Sequence, residues 1–421
     1  MKLYPYQKKG VAFIKKNRNV LLMDEQGLGK TAQVISAVKV LSAYPTLIIC
    51  PASVKEVRVN EFKKWHPNIT PTVDTYEKNC RVMITNYERL PRLVDKIMGV
   101  KWEMLVCDES HYIKNKKTKR TSLVKEISKI AYRKILITGT PVLNKPIELV
   151  SQLDILGVMK HFGKDWDFIK RYCAPYQTPY GWNLDGHDNL KELYRELKPF
   201  ALRRKKADVL KQLPSKKHEF IPIPLTNIRA YKNAERRYEN MVTKENQLVV
   251  AHHLRSLCVE GKKKYVIDWI KDFIQSGEKL VIFMYHKSMQ EILKEEFPEA
   301  STVFGGQTAQ SKAKNIQEFQ EGSSPIILCS LQSAGVGITL TSASNIVFVE
   351  YPWNAGLLNQ AIDRVHRISQ TKPVTIWHLY GKDTIEQRMM CMIEHKEIST
   401  SIITDGKSVT NNLIQGLIEA D

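Results

Sequence analysis

The sequence has 421 residues, of which 43% are hydrophobic and 26% charged, and this suits two or three globular domains with buried cores. Its seven cysteines are scattered singly and no stretch approaches the roughly 18 apolar residues of a membrane helix, which argues against disulfide-rich, zinc-ribbon and membrane-spanning classes. Lysine and arginine number 64 against 44 acidic residues, and the net charge of +20 favours a polyanionic partner such as nucleic acid, with a generally basic surface as the alternative.

The amino terminus and the cysteines predict the compartment in which the protein works. The opening stretch MKLYPYQKKGVAFIKKNRN lacks the unbroken apolar core of a signal peptide. Cys50, Cys107 and Cys329 lie in apolar runs, as small buried side chains do, and this favours a reducing compartment. We therefore expect an intracellular protein.

Short apolar runs in the first half of the chain predict buried parallel strands. The runs are continuous and do not alternate with polar residues, which is typical of strands covered on both faces. Helical patterns such as AQVISAVKVLSAY separate them and predict crossover helices. The strand candidates are VLLM (20–23), TLIIC (46–50), RVMIT (81–85), MLVC (104–107) and KILIT (134–138).

The strand pattern lapses between about residues 157 and 260, where we predict a mostly helical middle region. The expected fold class is α/β, with two parallel-sheet lobes. We place the first lobe at 1–222 with a helical insertion at about 157–200, a helical crossing segment at 223–260, and the second lobe at 261–421. The later strand candidates are KLVIFMY (279–285), PIILCS (325–330), NIVFVE (345–350) and VTIWHLY (374–380).

The first strand candidate runs into a glycine-rich loop, MDEQGLGKT. Gly27 and Gly29 allow backbone N–H groups to turn towards phosphate oxygens. Lys30 can reach the outer phosphates, and Thr31 can offer its hydroxyl to Mg²⁺ at the positive end of the following helix. The usual phosphate-loop spacing would have glycine at Asp24, so a helix cap with exposed polar residues is the alternative.

A second acidic site follows a later strand candidate, in MLVCDESH. Asp108, at the carboxyl end of that strand, can hold a metal ion, and Glu109 can orient an attacking water. A lone acidic pair after a strand is commonly solvated surface, but its combination with the loop favours a nucleotide site. ATP is favoured over GTP because no N-K-x-D guanine signature is present. His111 has no evident metal partners, so we expect it to be a coupling or packing residue and not a metal ligand.

The stretch QAIDRVHRISQ (360–370) predicts a helix with an apolar stripe and a polar face. The polar face carries Gln360, Arg364 and Arg367. A solvated helix face is one interpretation. The other is that the two arginines act as arginine fingers on a γ-phosphate bound to the first lobe.

Taken together, these stretches resemble the ATPase core of the Swi/Snf-type DNA translocases of helicase superfamily two. The resemblance runs in family order from about residue 3 to 395, and it implies two RecA-like lobes with ATP in the cleft between them. Motif II reads DESH where DEGH or DEAH is commoner, and Ser369 stands where glycine usually precedes the glutamine of motif VI. The matching stretches are LYPYQKKGVAFI (adenine-reading segment), DEQGLGKT (motif I, in which an acidic residue often stands at the position of Asp24), LIICPASVKEVRVNEFKKW (Ia), ITNYERL (Ib), DESH (II), LITGTPVLNKPIELVSQLDIL (III), RRKKADVLKQLPSK, KLVIFMYHKSM (IV), CSLQSAGVGITLTSASNIVFVEYPWN (V) and QAIDRVHRISQ (VI).

The resemblance also implies roles for individual residues, with ATP and Mg²⁺ as cofactors. Asp108 would hold the metal and Glu109 would position the water, while Arg364 and Arg367 would be the arginine fingers. The implied nucleotide-binding positions are Gln7 (at the adenine), Gln26, Gly27, Leu28, Gly29, Lys30 and Thr31. The positions implied to couple ATP to DNA or to contact DNA are Ser53, Thr85, Thr138, Gly139, Thr140, Gly335, Gly337 and Gln360.

The expected partner is the phosphate backbone of double-stranded DNA, contacted without regard to sequence. Candidate contacts are the basic run Lys114 to Arg120 and the cluster Arg203 to Lys206, although each alone also suits a solvated loop. The alternatives are a strand-separating or fork-rewinding helicase, the motor subunit of a repair or restriction complex, and a non-catalytic module with a relic site. We expect a compact motor from a bacterium or a virus, working in the cytoplasm, or in the nucleus if the source is eukaryotic.

Overall fold

The computed structural model describes residues 2–77, 79–139, 145–179, 181–239, 246–333, 338–352 and 355–405, with the side chains of 239, 247 and 394–400 excepted. This part of the chain divides into two compact units. The first unit runs to Lys211 and includes the segment that begins at Ile398, and the second runs from Gln212 to Glu397. The lobe limits expected at 222 and 260 remain predictions. No helix in the described ranges is long and apolar enough to cross a membrane.

The first unit alternates strands with helices, as its apolar runs predict. Its strands are β1 (Asn19–Leu22), β2 (Thr46–Cys50), β3 (Thr72–Val73), β4 (Val82–Asn86), β5 (Met104–Asp108), β6 (Arg133–Ile137), β7 (Tyr176–Thr178), β8 (Gly181–Asn183) and β9 (Ala201–Leu202). Its helices are α1 (Pro5–Lys16), α2 (Lys30–Leu41), α3 (Lys55–Trp65), α4 (Leu90–Met98), α5 (Lys119–Ile130), α6 (Glu148–Leu156), α7 (Asp165–Tyr172), α8 (Leu190–Leu197) and α9 (Lys206–Val209).

Seven of these strands form one parallel sheet in the order β3-β4-β2-β5-β6-β1-β9, and β7 pairs with β8 in a separate antiparallel hairpin. Leu21 packs in one hydrophobic core, whereas its neighbours Val20 and Leu22 pack in another. Successive side chains of a strand point to opposite faces, so both faces of the sheet are buried. Parallel strands also end at a shared edge, and β1 and β5 therefore bring the phosphate loop and Asp108 to the same side of the sheet.

The second unit repeats this plan with a sheet of six parallel strands in the order β10-β15-β14-β11-β13-β12. Here too, neighbouring residues such as Ile282 and Phe283 pack in separate cores on the two faces. The strands are β10 (Lys216–Ile223), β11 (Leu280–Met284), β12 (Ser301–Val303), β13 (Ile326–Ser330), β14 (Asn345–Phe348) and β15 (Val374–Gly381). The helices are α10 (Ile228–Glu239), α11 (Gln247–Ile274), α12 (Lys287–Glu296), α13 (Ala309–Glu321), α14 (Ala355–Val365) and α15 (Ile385–Asp405).

The α/β fold with two parallel-sheet lobes is confirmed, and every strand predicted from an apolar run is present to within two residues at each end. The middle region is mostly helical, but it also supplies two edge strands that the pattern missed. β9 pairs with β1, and β10 pairs with β15 along its whole length. An edge strand has only one neighbour and tolerates half-buried residues and a proline such as Pro222, so it need not read as a continuous apolar run.

Candidate nucleotide-binding site

The phosphate loop joins β1 to α2 in the first unit. Its backbone takes left-handed conformations at Gly27 (φ 81°) and Gly29 (φ 70°), which side chains other than glycine rarely adopt. A Cβ on Gly29 would also lie 2.4 Å from Nε2 of Gln7, so this position requires glycine. α2 begins at Lys30, and its first turn supplies unbonded N–H groups at the loop.

The predicted adenine-contacting residue, Gln7, lies on α1 against the phosphate loop. Its Nε2 donates a hydrogen bond to the carbonyl of Leu28 at 3.1 Å, and its Oε1 accepts one from the N–H of Tyr4 at 3.0 Å. The hydroxyl of Tyr6 donates to the same Leu28 carbonyl at 3.2 Å. Two side chains of α1 therefore hold the loop backbone.

Asp24, where a phosphate loop usually has glycine, is fully buried and paired. Its carboxylate accepts hydrogen bonds from Arg204 Nε at 2.9 Å and Gln33 Nε2 at 3.0 Å, and Nη2 of Arg204 makes a second contact. Arg204 Nη2 also donates to Gln33 Oε1 at 2.7 Å. The acidic residue is thus a structural anchor that ties β1 to the segment after β9.

Most of the cluster Arg203 to Lys206 is engaged within the first unit, and the DNA contact expected of it stays a prediction. Arg203 Nη1 donates to the carbonyls of Met23 at 2.7 Å and Gly139 at 3.1 Å, and its Nε pairs with Asp405 at 3.0 Å. Lys206 is buried. These positive charges therefore hold the phosphate loop in place, and the sequence showed only that they were basic.

Lys30 is fixed at the start of α2, with Thr31 half-buried beside it. Its Nζ donates to the carbonyls of Asp24 at 2.7 Å and Glu25 at 3.3 Å. Burial lowers the pKa of Lys30, and the carboxylates of Glu109 and Asp24 oppose that shift. The ammonium group therefore lies close to the acidic residues of motif II.

Asp108 ends β5 with both carboxylate oxygens engaged. Oδ2 accepts a hydrogen bond from Arg58 Nε at 2.6 Å, and Oδ1 accepts one from the N–H of Glu109 at 3.1 Å. The hydroxyl of Tyr87 donates to the Asp108 carbonyl at 2.8 Å. Each carboxylate oxygen keeps a further lone pair, so the group fits a Mg²⁺ ion or a water bound to one.

Glu109 takes a left-handed backbone conformation (φ 50°) immediately after β5. Burial alone would raise its pKa, but His111, Lys30 and Arg58 together lower the pKa of Glu109 to about 2. His111 Nδ1 lies 3.3 Å from Oε2 of Glu109 and 3.4 Å from Oγ1 of Thr138. His111 therefore lies between motif II and motif III, and its role in coupling or packing stays a prediction.

Gln26 Nε2 in the phosphate loop is buried without a hydrogen-bond partner among the described residues, and the buried Oε2 of Glu109 has the ion-pair contact with His111 at 3.3 Å but no well-aligned hydrogen bond. Gln26 packs on Gly139, where a Cβ would lie 2.3 Å from its Cγ. Motif I and motif III therefore touch at this glycine. Since buried polar groups in folded proteins nearly always have partners, these atoms mark a place where a ligand and its water fit.

In the second unit, Arg364 and Arg367 do not lie on one helix as predicted. α14 ends at Val365, because the carbonyl of Arg364 accepts the N–H of Leu340 at 2.8 Å and the chain then turns. Arg367 lies in that turn, where its Nη1 donates to Oγ1 of Thr339 at 2.8 Å. The arginine-finger role stays a prediction.

The predicted DNA-contacting and coupling residues differ in exposure. Ser53 is exposed. Thr85 is fully buried and its hydroxyl donates to Asp74 Oδ1 at 2.8 Å, so this side chain supports the end of β4 and does not face solvent. Gln360 is buried on α14. Three predicted residues lie outside the described ranges: Thr140, Gly335 and Gly337.

The basic run Lys114 to Arg120 is only partly available to a partner. Lys114 pairs with Glu148 at 2.7 Å, and Lys116 pairs with Asp165. The remaining exposed basic side chains of the run are Lys117, Lys119 and Arg120.

Two protein-family models match the chain. The SNF2-related domain matches residues 6–265, which is more than half of the sequence, and the helicase conserved C-terminal domain matches residues 261–369. The chain belongs to the SNF2-related family. The family named from the motifs is therefore confirmed.

Curated relatives resemble this SNF2-related chain along almost all of its length. The "SWI/SNF-related matrix-associated actin-dependent regulator of chromatin subfamily A-like protein 1" of Xenopus tropicalis is 32% identical over 94% of this chain and 44% of its own length. The "DNA annealing helicase and endonuclease ZRANB3" of Homo sapiens is 31% identical over 96% of this chain and 41% of its own length. The chain thus spans less than half the length of these two relatives.

Among solved structures, the "Sulfolobus solfataricus SWI2/SNF2 ATPase core in complex with dsDNA" is similar at 26% identity, covering 97% of this chain and 94% of that one with a TM-score of 0.48. The corresponding "ATPase core domain" structure is 27% identical, covers 97% and 91%, and has a TM-score of 0.45. The two curated relatives come from animals, so they lend no support to the bacterial or viral source expected above.

Sequence reasoning gave no role to Arg58 and proposed a DNA contact for Arg204, so it missed the ion pairs of both arginines. Both pair with carboxylates that the motifs had singled out, Asp108 and Asp24. A signal was available for Arg204, since an aspartate in an otherwise buried loop requires a cation. Arg58 lies within a charged helical stretch, and no pattern there distinguished it from a surface residue.

Proposed function

We propose that this chain is a DNA-dependent ATPase that moves along double-stranded DNA by coupling ATP hydrolysis in one site to changes elsewhere in the protein. The observation that carries the proposal is a phosphate loop beside two buried atoms: Gln26 Nε2, which has no hydrogen-bond partner among the described residues, and Glu109 Oε2, which contacts His111 Nδ1 at 3.3 Å. ATP would supply a partner for the first atom, and the attacking water a further one for the second.

In this proposal the first unit binds ATP with Mg²⁺. Lys30 and the N–H groups of the loop bind the phosphates, and Gln7 contacts the adenine. Thr31 and Asp108 would hold Mg²⁺, which would supply positive charge against the phosphates. Glu109 remains ionised at neutral pH because its pKa lies near 2, so it accepts a hydrogen bond from the attacking water and orients it.

Arg364 and Arg367 serve as arginine fingers that stabilise charge on the γ-phosphate. The coupling of hydrolysis to DNA runs through Thr138 and Gly139, which are in contact with His111 and Gln26. A shift of the Glu109 side chain would move the His111 imidazole and, through it, alter the contact with Thr138. This chain of contacts gives the site a physical route to motif III.

Double-stranded DNA is the proposed partner because the net charge is +20 and part of the basic run after motif II is exposed. Motors of this kind must grip phosphates without reading bases. DNA as substrate also places the protein inside the cell, in the nucleus or in the cytoplasm according to its source.

Nucleotide binding and turnover by two variants test the assignment of the site. Lys30→Ala should lose both binding of a fluorescent ATP analogue and hydrolysis, whereas Glu109→Gln should bind the analogue and hydrolyse ATP at least about 100-fold more slowly. Circular dichroism controls for folding. Wild-type turnover by Lys30→Ala would refute the site, and fast turnover by Glu109→Gln would refute the role of the glutamate.

A second candidate is annealing or rewinding of forked DNA. It is supported by the similarity to the human annealing helicase and by the β7–β8 hairpin, whose Tyr176 and Trp182 are more than half exposed (56% and 53%). Assays of duplex unwinding and of strand annealing, each with ATP, separate the two candidates. Annealing without unwinding favours the annealing or rewinding function. If neither annealing nor unwinding is observed, translocation on intact duplex is favoured.

A further inference from the structure

Arg58 is a largely buried cation that contacts the carboxylate of motif II. It lies in the stretch that resembles motif Ia, but neither that resemblance nor the proposed mechanism gives it a role. It lies on α3, which follows β2, and β2 is the sheet neighbour of β5. This placement brings Arg58 Nε to 2.6 Å from Oδ2 of Asp108. The two side chains are only 17% and 4% exposed, so the pair is largely shielded from water.

We propose that Arg58 is a positioning residue that balances the charge of Asp108 and so keeps divalent metal from binding until ATP brings it. The inference rests on the proposed function, since it takes Asp108 to be a ligand of Mg²⁺ or of its water. It concerns the order in which metal and nucleotide bind, which the motif residues do not determine.

The local charges support this order of binding. The site contains two carboxylates, Asp108 and Glu109, and two cations, Lys30 and Arg58, in mutual electrostatic contact. Among the other charged groups near Lys30, Asp24 pairs with Arg204, and Asp405 pairs with both Arg203 and Lys205. The carboxylates of the site are therefore at least balanced by cations without metal, and a divalent cation alone gains little by entering it.

The geometry of Asp108 points the same way. Arg58 donates a hydrogen bond to Oδ2, and the N–H of Glu109 donates one to Oδ1, so one lone pair of each oxygen is occupied. The remaining lone pairs allow a metal ion to approach, but it would be a second positively charged neighbour for a carboxylate that already has one guanidinium. The phosphates of ATP add negative charge to the site, and Mg²⁺ is then attracted together with the nucleotide.

Titration with Mn²⁺ as a paramagnetic probe, followed by electron paramagnetic resonance with no nucleotide present, tests the inference. The wild type should bind Mn²⁺ weakly. Arg58→Met removes the guanidinium but keeps a long apolar stem, and it should bind Mn²⁺ roughly tenfold or more tightly, since a hydrogen bond between charged groups is involved. Arg58→Lys, which keeps the charge, should stay near the wild type. Adding Asp108→Asn to Arg58→Met should abolish the gain.

Lys55→Met is the matched control, because Lys55 lies one turn earlier on α3 and pairs with Asp74 at 2.6 Å instead of Asp108. It should leave Mn²⁺ binding unchanged. The inference is overturned if Arg58→Met binds Mn²⁺ no more tightly than the wild type, with thermal melting confirming that the variant folds. Failure of the proposed function is seen separately, as absence of ATP-analogue binding by the wild type in Mg²⁺.

Discussion

At the scale of single residues, the site depends on buried charges that compensate one another. Asp24 is fully buried, and its carboxylate accepts hydrogen bonds from Arg204 and Gln33. The same arginine contacts α1 through the carbonyl of Tyr6. One guanidinium therefore holds the phosphate loop, α1 and the segment after β9 together.

We predict that Arg204→Met destabilises the first unit by about 3–5 kcal/mol, because it leaves the Asp24 carboxylate buried without a counter-ion. Urea unfolding measures the loss. The double variant Arg204→Met with Asp24→Asn should recover part of the stability, since an uncharged amide costs less to bury. Equal stability of the single variant and the wild type would show that this ion pair does not hold the loop.

At the scale of elements, α1 and α2 approach closely at a glycine. A Cβ on Gly10 would lie 1.8 Å from Oε1 of Gln33 and 2.8 Å from Nη2 of Arg204. The Gln33 side chain cannot simply move aside, because it is bonded to both Asp24 and Arg204. The contact between the two helices thus depends on the absence of a side chain.

Gly10→Ala should therefore lower both the melting temperature and the affinity for an ATP analogue, although alanine normally stabilises a helix interior by about 1 kcal/mol relative to glycine. Gly99→Ala is the control. Gly99 is the residue that follows α4, and the nearest atoms to an added Cβ are backbone carbonyl oxygens at 3.6 and 3.8 Å. It should be neutral or stabilising. An equal response of the two variants would contradict a tight α1–α2 contact.

Some helices and strands could be predicted from the sequence and others could not. The buried parallel strands were predictable, because packing on both faces demands unbroken apolar runs such as TLIIC. The edge strand β10 could not be predicted in this way, because it pairs with a strand on one side only and most of its residues are half-buried. The phosphate loop and Asp108 could be placed from their spacing. Arg58 could not, because its partner lies fifty positions away in sequence and is reached only through the sheet order.

At the scale of the whole molecule, stability should depend on pH through a buried pair of histidines in the second unit. Nδ1 of His218 lies 2.9 Å from Nε2 of His378, whose other nitrogen contacts the hydroxyl of Tyr351. Burial lowers the pKa of His218 to about 4, with Lys216 adding to the shift, and lowers that of His378 well below 6.5. Both rings are neutral in the folded protein at neutral pH.

The unfolded chain takes up protons on these histidines near pH 6.5, whereas in the folded chain His218 does so only at about pH 4 and the pKa of His378 lies well below 6.5. Their contribution to stability is therefore complete above pH 6.5 and is lost as the pH falls towards 4. His218→Gln keeps a hydrogen-bonding partner for His378 but does not titrate. Its melting temperature should fall less between pH 7 and pH 5 than that of the wild type, and an identical fall would contradict the assignment.

The central claim is that this chain hydrolyses ATP in response to double-stranded DNA. The most direct measurement is the steady-state ATPase rate without nucleic acid and with single-stranded DNA, double-stranded DNA or RNA, each at two salt concentrations. We predict stimulation by the duplex that weakens with salt, with a log–log slope for affinity of about −5 if roughly six phosphates are contacted. Hydrolysis that no duplex stimulates, or that only single strands or RNA stimulate, would contradict the account.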